Sequence, residues 1–416
     1  MRRFLLFLGL FMGLQSCFSQ IMEEVPPPNY IRTVQFTGDS RGNQGNPAVQ
    51  LGAGLKLSFD DIIGDEADYY YTIDHYNFDW TPTSLSKNEY MNGFDNVRIL
   101  DYENAVNTLQ PYTHYTLTIP NKNTKGLKVS GNYILNIFNA NKELVFSRKF
   151  MIYEAIAQIG AEVKRARDLN FINEKQTVNF SINSPDLLLK NPEQNVKVVI
   201  LQNHNLKTAI TNLKPQYTIA NELLYRYDQE SAFWGGNEYL QFDNKELRVT
   251  NANIAKVELE ELYHHFLYTN VTRNGEPYTY NPDINGAFVV RNYLAQNSDT
   301  EAEYVWMHFR LKNYAISPNA EIHLYGGFNN FILDDSTLLK YNPETGYFEN
   351  ARLFKQGYYN YKYVLLENGM LDDGIISGNF DETENLYTIY AYYRSPGARY
   401  DRLIGVGNTN SRNITN

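Results

Sequence analysis

Hydrophobic and polar residues alternate along much of this chain, and the repeat is two residues rather than the 3.6 of a helix. Leu55, Leu57 and Phe59 alternate with Lys56 and Ser58 before Asp60-Asp61, and Tyr115, Leu117 and Ile119 alternate with threonines before Pro120-Asn121. Successive strand side chains point to opposite faces, so such runs predict half-buried strands. Tyr133, Leu135 and Ile137 predict another; Leu144, Phe146, Phe150 and Ile152 predict one more, in a register that includes Arg148. The same pattern returns at Val178, Phe180 and Ile182, then at Val196, Val198 and Ile200. It appears again at Val305, Met307, Phe309 and Leu311, and at Tyr359, Tyr361 and Tyr363. Residues 253–268 space Ile254, Val257, Leu262 and Phe266 unevenly, which admits a short helix but favours a strand pair. Asn274-Gly275 and Asn368-Gly369 each sit between apolar runs and predict type I′ hairpin turns. No sustained amphipathic helix, fixed-period repeat or long low-complexity tract is present. The prediction is an all-β chain of consecutive immunoglobulin-like β-sandwich domains over residues 20–153, 154–299 and 300–416.

Composition supports sheet: 34 Tyr and 23 Phe suit a pleated, half-buried surface. A chain of 416 residues can hold roughly three domains with independent cores. The N-terminus reads differently. Met1-Arg2-Arg3 precedes an apolar run, Phe4 to Met12, too short to span a bilayer, so residues 1–19 are expected to be a secretory signal peptide. Cys17-Phe18-Ser19 places small residues where signal peptidase needs them, which puts the cut after Ser19. The alternative takes Leu14-Gln15-Ser16-Cys17 as a lipobox with an acylated Cys17, although Gln15 is large and polar for that site. Cys17 is the only cysteine, so cleavage after Ser19 leaves no thiol for disulfides or metal-thiolate chemistry. Val25-Pro26-Pro27-Pro28-Asn29 then forms a stiff spacer. The formal charge of −10 falls by two to −12 when Arg2 and Arg3 leave, which argues against nucleic acid as a partner.

Catalytic chemistry has little to build on. The chain lacks a Gly-x-Ser-x-Gly elbow, a His-Glu-x-x-His helix and a glycine-rich phosphate loop. Asp74-His75 and His264-His265 are adjacent pairs, and neighbours on a strand face opposite ways. Asn281-Pro282-Asp283-Ile284-Asn285-Gly286 imitates the opening of a calcium loop, but Asn292 stands where the closing carboxylate belongs; an Asx-type turn is expected instead. The reading therefore assigns no catalytic residue, cofactor or metal. Arg394, Arg399, Tyr400, Asp401 and Arg402 gather charge and aromatic surface in a short stretch and are the candidate partner-contact residues. The competing reading pairs Arg399 with Asp401 on one face of a strand.

Two resemblances extend this reading. Glu321-Ile322-His323-Leu324-Tyr325-Gly326-Gly327-Phe328-Asn329-Asn330-Phe331, followed by Tyr358-Tyr359-Asn360-Tyr361-Lys362-Tyr363, resembles the early-set immunoglobulin-like modules beside glycogen-processing enzymes. Carbohydrate-binding members usually carry a stacking Trp where Phe331 stands. The second resemblance spans most of the chain in order. Its blocks are Tyr71-Thr72-Ile73-Asp74-His75-Tyr76-Asn77-Phe78-Asp79-Trp80, Glu89-Tyr90-Met91-Asn92-Gly93-Phe94 and Asn107-Thr108-Leu109-Gln110-Pro111-Tyr112-Thr113-His114-Tyr115. Further on come Ser130-Gly131-Asn132-Tyr133, Asp283-Ile284-Asn285-Gly286, Tyr390-Ala391-Tyr392-Tyr393-Arg394 and Gly397-Ala398-Arg399-Tyr400-Asp401-Arg402. Together they resemble the plug proteins of the type IX secretion system, with Tyr76 where relatives often have Cys. The resemblance implies a non-enzymatic periplasmic protein that docks on a large outer-membrane β-barrel translocon and occludes it without spanning the membrane. A periplasmic glycan-binding module is the alternative, and exposed aromatics forming a flat platform near Phe331 would favour it. An enzyme would need a concave pocket gathering titratable groups.

Overall fold

The computed structural model describes residues 21–38, 46–312, 314–412 and 414; the expected leader and Cys17 lie outside them. Strand dominates, and the described α-helices are four-residue turns. In the first domain, Leu55–Asp61 lies between Ile31–Gly38 and Thr113–Ile119, while in the facing sheet Gly131–Phe138 lies between Tyr70–Tyr76 and Leu144–Tyr153. The predicted alternation closes the space between them: Leu57, Phe59, Tyr115, Tyr133, Leu135, Ile137, Phe146 and Phe150 form one core. Phe59 stacks on Tyr115 at 5.1 Å and meets Phe146 edge-on at 5.2 Å, so aromatic geometry adds to area burial. Arg148 is buried with this strand and donates to the Ser147 carbonyl, and its desolvation pulls the guanidinium pKa down.

The middle domain is discontinuous. One sheet contains Gln158–Arg165, Lys175–Asn183, Glu222–Tyr225 and Tyr217–Ile219. Its facing sheet runs Ile210–Thr211, Val196–Gln202, Leu386–Tyr393, Arg402–Asn410. Val198 and Ile200 thus share a core with Val178, Phe180, Ile389 and Ile404. The last strand sits close over Gln158–Arg165 because it carries glycine there: a Cβ on Gly405 would stand 2.6 Å from the Ala157 carbonyl oxygen.

Between these parts, residues 236–384 form the third domain, a ten-stranded sheet that doubles over on itself. Phe242 and Tyr361 from one half meet Phe309 of the other at 5.9 and 5.1 Å. The expected boundary at 299/300 therefore falls inside this sheet, and the expected C-terminal unit loses its last two strands to the middle domain. Alternation reports which face of a strand is buried, not which distant strand covers it. The two Asn-Gly turns also part company. Asn368 and Gly369 both have positive φ (51° and 78°) and join two paired strands, as type I′ requires. Asn274-Gly275 turns within a loop, with only the glycine at positive φ. Residues 253–268 are the strand pair Ile254–Leu259 and Tyr263–Leu267.

Candidate docking region and domain junctions

The five candidate partner-contact residues lie where the middle domain meets the first. Sheet geometry places them there: Tyr393 and Arg402 are opposite one another in register, so the turn between them projects toward the first domain. Arg394 makes a fork with Asp401, its Nε and Nη2 donating at 2.8 and 2.9 Å, and Nη2 also donates to Asn77 Oδ1 at 2.6 Å. Asp401, almost wholly buried, also accepts from the Phe78 amide at 3.2 Å. Arg402 forks onto Glu154 at 3.1 and 2.7 Å, while Tyr400 meets the His75 ring edge-on at 5.3 Å. Arg399, the exposed member, pairs with Glu89. Asp401 thus pairs with Arg394 rather than Arg399. Around this polar seam, Met151, Val199, Leu201, Tyr390, Tyr392 and Leu403 form a separate apolar cluster, and Tyr392 donates to Asn132 at 2.7 Å. Four of the five side chains are committed within the chain to this junction, and the fifth reaches the same domain.

A second junction, which the sequence did not indicate, joins the first domain to the third. Asp60, at the end of Leu55–Asp61, accepts from Lys355 Nζ at 2.7 Å and from the Tyr304 hydroxyl at 2.6 Å, and His114 Nδ1 lies 2.6 Å away. Lys355 stands over the Tyr112 ring at 4.1 Å. Both charges are almost fully dry. Burial works against the Asp60 carboxylate, but the Lys355 ammonium and His114 hold its pKa below the ordinary value. Burial pulls Lys355 the other way, toward the neutral amine, against the pull of Asp60. Each charge is the chief counterweight to the other's desolvation. Glu303 extends the junction by accepting from the Leu109 and Gln110 amides at 2.6 and 3.2 Å. The N-terminal segment adds a tie: Glu24 accepts from Asn46 and the Lys149 amide of the first domain and from Asn330 of the third.

Middle and third domains meet through Asn205, which donates to Tyr325 at 2.6 Å, and through Gln176, which donates to the Asp381 and Thr383 carbonyls at 2.6 and 2.7 Å. Beside them, within the third domain, Glu238 accepts from Tyr278 and the Glu384 amide. Burial raises the Glu238 pKa. A cleft of about 700 Å³ opens beside this junction, lined by Glu174, Trp234, Glu276, Asp372 and Asp373 among others. Carboxylates dominate its charged lining, and no histidine, lysine, serine or cysteine lines it among the described residues.

The remaining motifs resolve structurally. His75 is buried against Ser130 and Thr83, and desolvation drops its pKa to about 4, while Asp74 on the opposite face meets Lys87. His264 and His265 also point apart, His265 toward the Leu247 carbonyl; His264 instead meets His308 from the neighbouring strand at 2.9 Å. Among the described residues no group of three or more potential ligands could hold a metal. Asp283 closes an Asx turn on the Asn285 amide and accepts from the Tyr239 amide at 2.5 Å. Phe331 is 8% exposed and packs on Tyr325 at 5.1 Å, so it offers no stacking platform for a sugar.

The fold and its junctions define the class: a multidomain β-protein whose charged constellations join its domains. The chain belongs to the type 9 secretion system plug family, whose first-domain description matches residues 31–154. A crystal structure of a hypothetical protein from Parabacteroides merdae ATCC 43184 shares 32% identity over 93% of this chain and 98% of its own, with a TM-score of 0.88. The search of curated proteins gave no match. No described helix is long and apolar enough to cross a membrane.

Proposed function

We propose that this chain is a periplasmic, non-enzymatic plug that docks on the inner mouth of the type IX outer-membrane β-barrel translocon and blocks it when no cargo passes. The family match over residues 31–154 carries this reading. Physical form supports it. A pore wide enough for folded cargo leaks small solutes, and a body whose three domains are pinned pairwise by buried contacts can close it with little ordering cost on docking. Release would follow by population shift, through a cargo or shuttle that binds the open channel better than the plugged one.

Deleting the gene should leave enzymatic activities intact while making the outer envelope leakier to small solutes or disturbing type IX export. Affinity purification of the tagged protein from gently solubilised envelopes should bring down a large outer-membrane barrel; a wild-type protein that brings down none sinks the proposal. The C-terminal charges enter indirectly on this reading, by fixing how the first and middle domains sit together. Arg399→Glu tests direct contact. Loss of co-purification with an unchanged melting curve would return Arg399 to the docking surface.

A further inference from the structure

A recess of about 390 Å³ lies between the first and third domains, lined by Asn29 and Arg32 from one side and Trp306, Lys340, Asn350 and Arg352 from the other. Its shape follows from two irregularities. The strand Ile31–Gly38 shifts register between Arg32 and Gln35, with Thr33 at φ 49°, and such a bulge re-aims the side chains beside it. Across the junction, Tyr347–Lys355 pairs with Leu338–Asn342 only as far as Lys340–Glu349. Beyond that the strands part, and Asn350 spans the opening by donating to the Ser336 and Leu338 carbonyls at 3.1 and 2.8 Å. Arg352 points into the same opening, donates to Ser336 Oγ, and lies 5.5 Å from the Phe328 ring.

Two guanidiniums therefore share one recess; among the described residues neither forms a direct ion pair, and Asp334 is the carboxylate whose charge acts on both. Burial lowers both, and the charge of Arg32 helps push Arg352 down to about 10. Arg32 Nε is buried without an acceptor. The carboxylates nearby do not contact the guanidiniums directly: Glu349 pairs with Arg310 at 3.0 Å, Asp335 is exposed, and exposed Asp334 accepts from the Ser336 amide and from the same Ser336 hydroxyl that accepts from Arg352. Asn350 Oδ1, also on the wall, is buried without a donor. Two partly buried arginines that repel one another and share only the charge of exposed Asp334 would be better satisfied with a bound anion, since the planar fork matches phosphate and carboxylate oxygens.

We propose that this recess is an oxyanion site that takes a small phosphate- or carboxylate-bearing ligand with an adjacent hydroxyl, held by Arg32 and Arg352 with the hydroxyl donating to Asn350. The assignment does not depend on the plug reading. Inorganic phosphate and malate are titrated into the intact protein, each against sodium chloride of equal ionic strength. At least one should bind with a Kd in the millimolar range or tighter, and change the emission of Trp306 on the wall. Trp306→Phe should lose that change while keeping the calorimetric signal. Arg32→Gln and Arg352→Gln should each weaken binding tenfold or more, and Arg352→Gln should melt no lower than the wild type because it relieves repulsion. Absence of binding beyond the chloride control for both anions overturns the proposal. So does affinity that survives in both arginine variants.

Discussion

Asp60 and Lys355 form a buried ion pair whose partners come from different domains, and single substitutions there have predictable sign. Lys355→Met strands a dry carboxylate and should destabilise the protein by about 3–5 kcal/mol, read from urea unfolding. Asp60→Asn combined with Lys355→Met should recover a large part of that loss, because no lone charge remains buried. A double variant as unstable as the single would show that packing, not charge, is lost. Two buried histidines contribute to the pH dependence. His75 and His308 both have folded pKa values of about 4, from burial first and, for His308, from the neighbouring His264. A depressed folded pKa means that the unfolded chain takes up protons first. Stability from these groups is present above about pH 6.5 and is lost as the pH falls toward 4, with a slope approaching about 1.4 kcal/mol per pH unit for each proton. Unfolding midpoints measured from pH 7 to 4 should fall accordingly, and His75→Gln should flatten the curve; a flat wild-type profile refutes the burial argument.

Strands that looked alike in the sequence differ in what they hold. Leu386–Tyr393 and Arg402–Asn410 complete the middle domain's second sheet, and the approach of Gly405 to Ala157 admits no side chain. Gly405→Val should force the last strand away and cost about 1–3 kcal/mol, as overpacking does elsewhere. Circular dichroism should show a lowered melt, and a neutral result would mean the strand can shift freely. The alternating runs were legible because one face of each strand is buried; Leu57, Phe59, Tyr133 and Ile137 all lie inside as expected. The Asn274-Gly275 hairpin was misread because the dipeptide permits positive φ at both positions without demanding it, and the flanking chain forms no ladder there.

At the scale of the molecule, the discontinuous middle domain makes a testable claim about cutting. Gly235 and Asn385, which flank the inserted third domain, are in contact, with Asn385 Nδ2 donating to the Gly235 carbonyl at 2.8 Å. A protein of residues 155–235 joined by a short linker to 385–416 should keep β-sheet circular dichroism and melt cooperatively. Residues 154–299 alone should not, because that piece lacks the two strands that complete the sheet of Val196–Gln202 and supply Ile389 and Ile404 to its core. Cooperative melting of 154–299 would overturn the pairing described here.

The sequence alone settled the all-β class, many strand faces, the weakness of the calcium imitation and, through blocks of residues in order, the family. These are local properties: a side chain's facing and a turn's φ depend on near neighbours in the chain. Only the tertiary structure decided which strands pair across long separations, and hence where the domains divide. It also decided that Arg394 and Asp401 hold a junction, that Phe331 is buried, and that Asp60 meets Lys355 and Arg32 meets Arg352. Those pairings join residues far apart in sequence, and a charged side chain carries no local mark of the partner that will neutralise it.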